Sequence, residues 1–268
     1  MAPPYSFVGE VVLVTGSTRN VGFALAKGFA AAGASVVVNG RRSEDVERAV
    51  RSLSKLVPDA PGTLCGLAAD ITKPAEVEAM FRAIDERFGK LDVLVNNACD
   101  LGLDGHFLEV PDDAWDRVLG VNVTGMLRCT QQAARRMRRV RKGAVINISS
   151  NGATRAHRNR VAYDASKGAI EAATRAIALD LAPYGIRVNA LTLGAVRTER
   201  WEGLSEAEVA RRRSVIPLGV EVTGEDVAAA ALFLAGPGAG NITGASLVVD
   251  GGMAAQLRPA PLEVAERS

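Results

Sequence analysis

The sequence predicts an α/β chain, doubly wound around a seven-stranded and mostly parallel sheet. Three observations carry the expectation. Short apolar runs rich in Val and Ile alternate with longer segments of helical spacing almost to the end of the chain. The first run leads into a glycine-containing turn and then an alanine-rich helical pattern. The 268 residues suffice for one core covered on both faces of a sheet, so 1–268 is expected to be a single domain.

The runs at 10–14, 35–38, 63–68, 91–95, 144–148, 186–191 and 246–249 are almost continuously apolar, as strands buried on both faces must be. Helical spacing occupies 20–32, 43–57, 74–88, 111–138 and 161–182. Pro111 with Asp112 and Asp113 opens the fourth of these, placing acids near the positive end of the helix dipole. The fifth stops at Pro183 and Gly185. Residues 197–218 interrupt the alternation with a charged helical piece at 205–213, which reads as a lid over a binding site. The tail, 253–268, is broken by proline and polar residues and is read as disordered or packed on a neighbouring subunit.

Composition limits the function classes. A net charge of +2 does not fit a nucleic-acid binder by charge alone. No apolar run is long enough to span a bilayer, and no basic-then-apolar leader opens the chain, so a cytoplasmic location is expected. Cys65, Cys99 and Cys129 lack metal-ligand spacing and read as free thiols, and no metal site is expected.

Tyr163 and Lys167 stand four residues apart early in a predicted helix, which puts them on one face. A phenol titrates near pH 10 in isolation, and a neighbouring ammonium favours the phenolate, bringing it into the range useful for general acid–base catalysis. Ser150 lies thirteen residues before Tyr163 at the end of the 144–148 run. All three should therefore meet at the carboxyl ends of the strands, where open α/β sheets bind ligands.

The turn Gly16, Ser17, Thr18, Arg19, Asn20, Val21, Gly22 follows the first strand and opens a helix, the arrangement that brings backbone N–H groups to a pyrophosphate. The second strand ends in Asn39-Gly40-Arg41-Arg42, without the acid that would bind a ribose 2′-hydroxyl. Arg41 with Arg19 suits a 2′-phosphate, so NADP(H) is expected in preference to NAD(H). Asp70 and Ile71, after the third strand, are candidates for the adenine edge.

These pieces, with Asn97 and Ala98 in Asn96-Asn97-Ala98, Asn122 in Val121-Asn122-Val123, Gly194-Ala195-Val196-Arg197-Thr198 and Asp250-Gly251-Gly252, come in one order. Over residues 10–252 the chain resembles the short-chain dehydrogenase/reductase family, in its single-domain ketoreductase-like branch. The resemblance implies a Rossmann-like fold, a homotetramer or homodimer, and nicotinamide-dependent interconversion of an alcohol and a carbonyl. It implies that Tyr163 passes a proton to or from the substrate oxygen, that Lys167 binds the nicotinamide ribose and favours the Tyr163 phenolate, and that Ser150 orients the carbonyl. Asn122 would hold a water leading from Lys167 to solvent, and Gly194, Val196 and Thr198 would contact the nicotinamide side. A same-fold epimerase or dehydratase with retained cofactor, or a non-catalytic NADP(H) sensor, are the alternatives.

Three positions depart from the family pattern: Asn20 for the middle glycine of the turn, Cys99 for the glycine after Ala98, and Leu193 for a proline. Asparagine tolerates a left-handed backbone, so the turn is expected to survive, and Cys99 reads as a small packed thiol. Two basic clusters stand out. The residues Arg135, Arg136, Arg138, Arg139, Arg141 and Lys142 read as a solvated helix end, with an acidic acyl-carrier partner as the alternative. The side chains of 155–160 read as facing outward; a pocket-facing Arg or His157 would favour an anionic or polyhydroxylated substrate.

Overall fold

The computed structural model describes residues 5–257 and 259. Seven strands form one sheet: β1 (Val11–Val14), β2 (Ser35–Gly40), β3 (Leu64–Ala68), β4 (Val93–Asn96), β5 (Gly143–Ser150), β6 (Ile186–Leu193) and β7 (Ser246–Val249). Their order is β3-β2-β1-β4-β5-β6-β7, and every neighbouring pair is parallel. The order reverses direction between β1 and β4, so the crevice between their carboxyl ends is the topological switch point where such sheets bind ligands.

The strands alternate their side chains between two cores, as a period of two requires. Val12, Val14, Val36 and Val38 meet α1 (Asn20–Ala31) and α2 (Ser43–Leu56) on one face, through Leu25, Phe29 and Leu53. Val11, Leu13, Val37 and Leu94 meet α3 (Pro74–Phe88) on the other, through Val77, Phe81 and Ile84.

The single helix expected over 111–138 is interrupted. Its parts are α4 (Asp112–Leu119), a π-helical stretch (Gly120–Gly125) and α5 (Met126–Val140). Helical spacing cannot reveal such a widened turn, since the apolar stripe runs on across it; π-turns of this kind are frequent at functional sites. Further on come α6 (Val161–Leu181), α7 (Glu206–Arg213) and α8 (Gly224–Ala235). The sequence reading assigned no helix to α8. Its Val, Ala, Leu and Phe residues are apolar all round and present no stripe, although a capping box of Thr223 and Asp226 marks its start. It buries Val227, Ala231 and Leu232 in the same core as α1.

The basic end of α5 is held by partners. Arg136 forks onto Asp85 at 2.8 and 2.6 Å and lies over Phe81, Lys142 pairs with Glu10 at 2.9 Å, and Arg138 lies over Tyr184. Of the tail, the first residues pack on the body: Arg155 donates to the Ala254 carbonyl at 2.5 Å and Gln256 to Val215 at 2.7 Å. Residues 258 and 260–268 lie outside the described residues. Among those described, no helix is long and apolar enough to cross a membrane.

Candidate active site

The turn after β1 explains its own glycines. Gly16 has φ +61°, and a Cβ there would stand 2.7 Å from Ala98 Cα. Gly22, at the first turn of α1, has no room either, because a Cβ would overlap the Gly16 carbonyl oxygen and Asn97 Nδ2. Asn97 closes the crevice from the β4 side, donating through Nδ2 to Thr15 and Gly16 carbonyls at 3.0 and 2.9 Å. The Asn97 and Ala98 N–H groups both reach Thr15 Oγ1, at 3.0 and 3.1 Å. Asn20 takes φ 49°, the left-handed conformation a glycine would supply. Arg19, the residue before α1, gives no side-chain cap, which keeps the first N–H groups of the helix available.

Not every residue expected at the cofactor faces the crevice. Ser17 is fully buried; its hydroxyl donates to Val14 O at 2.7 Å and accepts the Asn39 N–H at 3.0 Å, so it ties β1 to β2 behind the turn. The Ile71 side chain is core, packed where Gly125 leaves space in the π-helical stretch. Arg41, Asp70 and Val121 do come together, lining a cavity of about 300 Å³ with Thr72, Asp100 and Arg117. Burial pushes the Asp70 carboxyl up, but hydrogen bonds from Thr72 and the charges of Lys73 and Arg41 outweigh it and leave the group below its ordinary range. Arg42 is taken up by Asp45 at 2.6 Å, so Arg41 is the cation of the pair that turns to this cavity. The Asp100–Arg117 pair, 2.9 Å apart, walls it on the far side. Sequence reasoning missed that pair, since nothing local links positions 100 and 117.

The predicted catalytic residues lie at the end of β5, on the first turns of α6 and in the π-helical stretch. Ser150 ends β5, buried, with its Oγ accepting the Gly152 N–H at 3.2 Å. Tyr163 and Lys167 sit on the first turns of α6, and Lys167 Nζ lies 5.5 Å from the centre of the Tyr163 ring. The Lys167 ammonium is buried and donates to Ile148 O at 2.9 Å, which anchors it on the strand that carries Ser150. Asn122 occupies the π-helical stretch with its amide satisfied: Nδ2 donates to Asp100 O and Ser166 Oγ, both at 2.9 Å, and Oδ1 accepts the Asp100 N–H at 2.7 Å. Ser166 Oγ in turn donates to the Tyr163 carbonyl at 2.7 Å. A polar chain thus links the widened turn to the helix that carries Tyr163 and Lys167.

Beyond β6, Leu193 pairs with Val249 and simply extends the strand where a proline would have ended it. Gly194 follows, pressed against Asp250, where a Cβ would come within 2.6 Å of the Asp250 Cβ. Val196 bridges to Val222, and Thr198 opens a short 3-10 turn, Glu199–Trp201. That turn touches the glycine loop: Asn20 Oδ1 accepts the Glu199 N–H at 3.2 Å, and Arg19 lies 3.8 Å from the Glu199 carboxylate.

Cys99 corrects the sequence reading, for it is exposed rather than packed, with its Sγ 3.5 Å from the Asp100 carbonyl. Cys65 and Cys129 are the buried thiols, and loss of solvent pushes Cys129 up to about 12.

The 197–218 segment is pinned at its far end by a buried carboxylate. Arg213 forks onto Glu221 at 2.7 and 3.0 Å, and Arg197 reaches it at 3.0 Å. The hydrogen bonds and charge of Arg213, with Arg197, hold the Glu221 carboxyl at about 2, against an ordinary 4.5. A depressed folded-state value stabilises the fold above the unfolded value and ceases to do so as pH falls through the folded one. Glu221→Gln is accordingly expected to lower the thermal midpoint at pH 7, with the gap to wild type narrowing from pH 4.5 down towards 2. A gap independent of pH over that window would show that the charge of Glu221 contributes nothing.

The family profile described as Enoyl-(Acyl carrier protein) reductase matches residues 16–254. A 3alpha-hydroxysteroid dehydrogenase of Mediterraneibacter gnavus is 37% identical over 242 residues, covering 90% of this chain and 96% of the relative. An L-rhamnose 1-dehydrogenase (NAD(P)(+)) of Azotobacter vinelandii is 35% identical, covering 94% and 99%. A crystal structure of an actinorhodin polyketide ketoreductase variant with NADPH superposes with a TM-score of 0.85 at 33% identity, over 92% of this chain and 98% of that one. With the seven-stranded parallel sheet, the glycine turn at its switch point and the Ser150, Tyr163 and Lys167 cluster beside it, this chain belongs to the short-chain dehydrogenase/reductase family of oxidoreductases.

Proposed function

We propose that this protein reversibly reduces a ketone or aldehyde to an alcohol with NADP(H), through Ser150, Tyr163, Lys167 and Asn122. The observation that carries the reading is buried Lys167, 5.5 Å from the Tyr163 ring centre and anchored on Ile148 of the strand that ends in Ser150. The crevice fits a dinucleotide. Its two glycines leave a cradle that a Cβ would fill, and the cavity at its end is large enough for part of an adenosine. A nicotinamide nucleotide supplies or accepts the hydride when bound. Tyr163 passes the accompanying proton to or from the substrate oxygen, and Ser150 Oγ, held near it by the Gly152 N–H, orients that oxygen. Lys167 Nζ lies on the Tyr163 side of the site, 5.5 Å from the ring centre, where it would hold the nicotinamide ribose. Asn122 keeps the widened turn open, the place for a water leading protons to solvent. The 197–218 segment serves as a lid, tethered at Glu221 and in contact with the glycine loop at Glu199.

Preference for NADP(H) rests on Arg41, which turns to the cavity, and on Asn39, whose Nδ2 is spent on the Leu67 and Ala69 carbonyls at 3.1 and 3.2 Å rather than on a ribose. The decisive experiment follows NADPH and NADH oxidation by the purified protein against ketones, diketones, quinones and β-ketoacyl thioesters. Turnover with NADPH and little with NADH is expected, while NADPH binding without turnover on any of them would sink the reductase reading. Arg41→Ala should weaken NADPH binding about 10- to 100-fold, the range of a lost hydrogen bond to a charged group, and leave NADH nearly unaffected. Equal losses for both nucleotides would refute the assignment of Arg41 to the 2′-phosphate.

A further inference from the structure

The loop between Ser150 and Tyr163 holds an acid–base pair that the proton transfer above does not use. Asp164 directly follows Tyr163, and its largely covered carboxylate accepts the His157 backbone N–H through Oδ2 at 2.6 Å. Its Oδ1 faces His157 Nδ1 at 2.8 Å. The carboxylate accepts from Nδ1–H, which leaves Nε2 as the ring nitrogen open to a substrate. The pair is built into the turn after Ser150: at Gly152 a Cβ would overlap Asp164 Oδ1 and stand 3.2 Å from His157 Cε1. The imidazole meets the Tyr163 ring edge to face, with centroids 6.2 Å apart.

Two other cations of this loop are committed elsewhere. Arg155 is committed to the Ala254 carbonyl, and Arg160 forks onto Asp104 at 2.6 and 3.1 Å. Hydrogen bonds from Arg160, with its charge and that of Arg200, hold the Asp104 carboxyl below its ordinary range. With the Asp164 carboxylate behind the imidazole, an anionic substituent at His157 meets a like charge one ring away. A neutral hydroxyl meets no such opposition.

We propose that His157, fixed by Asp164, is a specificity-determining residue whose Nε2 hydrogen-bonds a hydroxyl on the substrate, selecting hydroxylated carbonyl compounds. The inference rests on the alcohol–carbonyl reading above and narrows it to a substrate class. Under it, His157 is the side chain of 155–160 that serves the pocket. A site that fixes one hydrogen-bonding nitrogen discriminates against an analogue lacking the matching hydroxyl, because the nitrogen is then left unpaired.

The test compares 4-hydroxycyclohexanone, cyclohexanone and 4-oxocyclohexanecarboxylate with NADPH. Wild type is expected to favour the hydroxyketone over cyclohexanone about three- to tenfold in kcat/KM, chiefly through KM. His157→Phe should bring that ratio close to one. Asp164→Ala, which releases the imidazole, should do the same. A merely structural loss would lower both ketones alike and leave the ratio in place. An unchanged ratio in His157→Phe, or a wild-type preference for the carboxylate, overturns the proposal. Wild type that binds NADPH and reduces none of the three overturns the reductase reading, and the inference falls with it.

Discussion

Replacing Tyr163 with Phe is expected to lower kcat by about 10²- to 10⁴-fold, the usual worth of a positioned acid–base group, while NADPH still binds. The substitution removes one oxygen and keeps the ring. Lys167 therefore retains its anchor on the Ile148 carbonyl, and His157 retains the face it packs against. The main-chain bond from Ser166 Oγ to the Tyr163 carbonyl also survives, so α6 keeps its place. Fluorescence titration with NADPH beside steady-state turnover separates the two effects. Undiminished activity in Tyr163→Phe would remove this residue from the chemistry and with it the proposed mechanism.

Gly22→Ala carries the second large effect, on binding rather than chemistry. The added Cβ would overlap the Gly16 carbonyl oxygen and Asn97 Nδ2 and stand 2.8 Å from Ser17 Cα. Two of these are backbone atoms that cannot rotate aside, and the third belongs to the side chain that closes the crevice. Overpacking of this kind costs about 1–3 kcal/mol in stability. The displaced turn should also weaken NADPH binding by about tenfold or more, since its N–H groups no longer converge. Calorimetric titration with NADPH and a thermal melt measure both. A variant that melts and binds like wild type would mean that this crevice does not cradle the nucleotide.

Much of this was legible in the chain. The sheet, the glycine turn and the helix with Tyr163 and Lys167 all rest on spacings within a few residues of one another. Less legible were strand ends made of polar residues. β5 and β6 run to Ser150 and Leu193, beyond the expected 148 and 191, and pass through Ser149 and Thr192. These hydroxyls are buried because Glu171 of α6 accepts from both, at 3.2 and 2.6 Å, and no local pattern announces that carboxylate. Helix α8 escaped notice for the opposite reason, being apolar on every side. The π-helical stretch was hidden inside a pattern that continues through it.

The sequence alone determined the alternation of strand and helix, the positions where only glycine or asparagine fits the backbone, and the residues able to do acid–base chemistry at the strand ends. Each of these is a local property, set by steric limits and by the periods of the two regular structures. Only the tertiary structure decided which way the charges point. Ser17 and Ile71 turned inward, Arg41 turned to the cavity shared with Asp100 and Arg117, Arg160 went to Asp104, and His157 stayed beside Tyr163. A side chain's partner depends on which strands lie side by side and how long their loops are, and the order β3-β2-β1-β4-β5-β6-β7 brings together residues far apart in the chain.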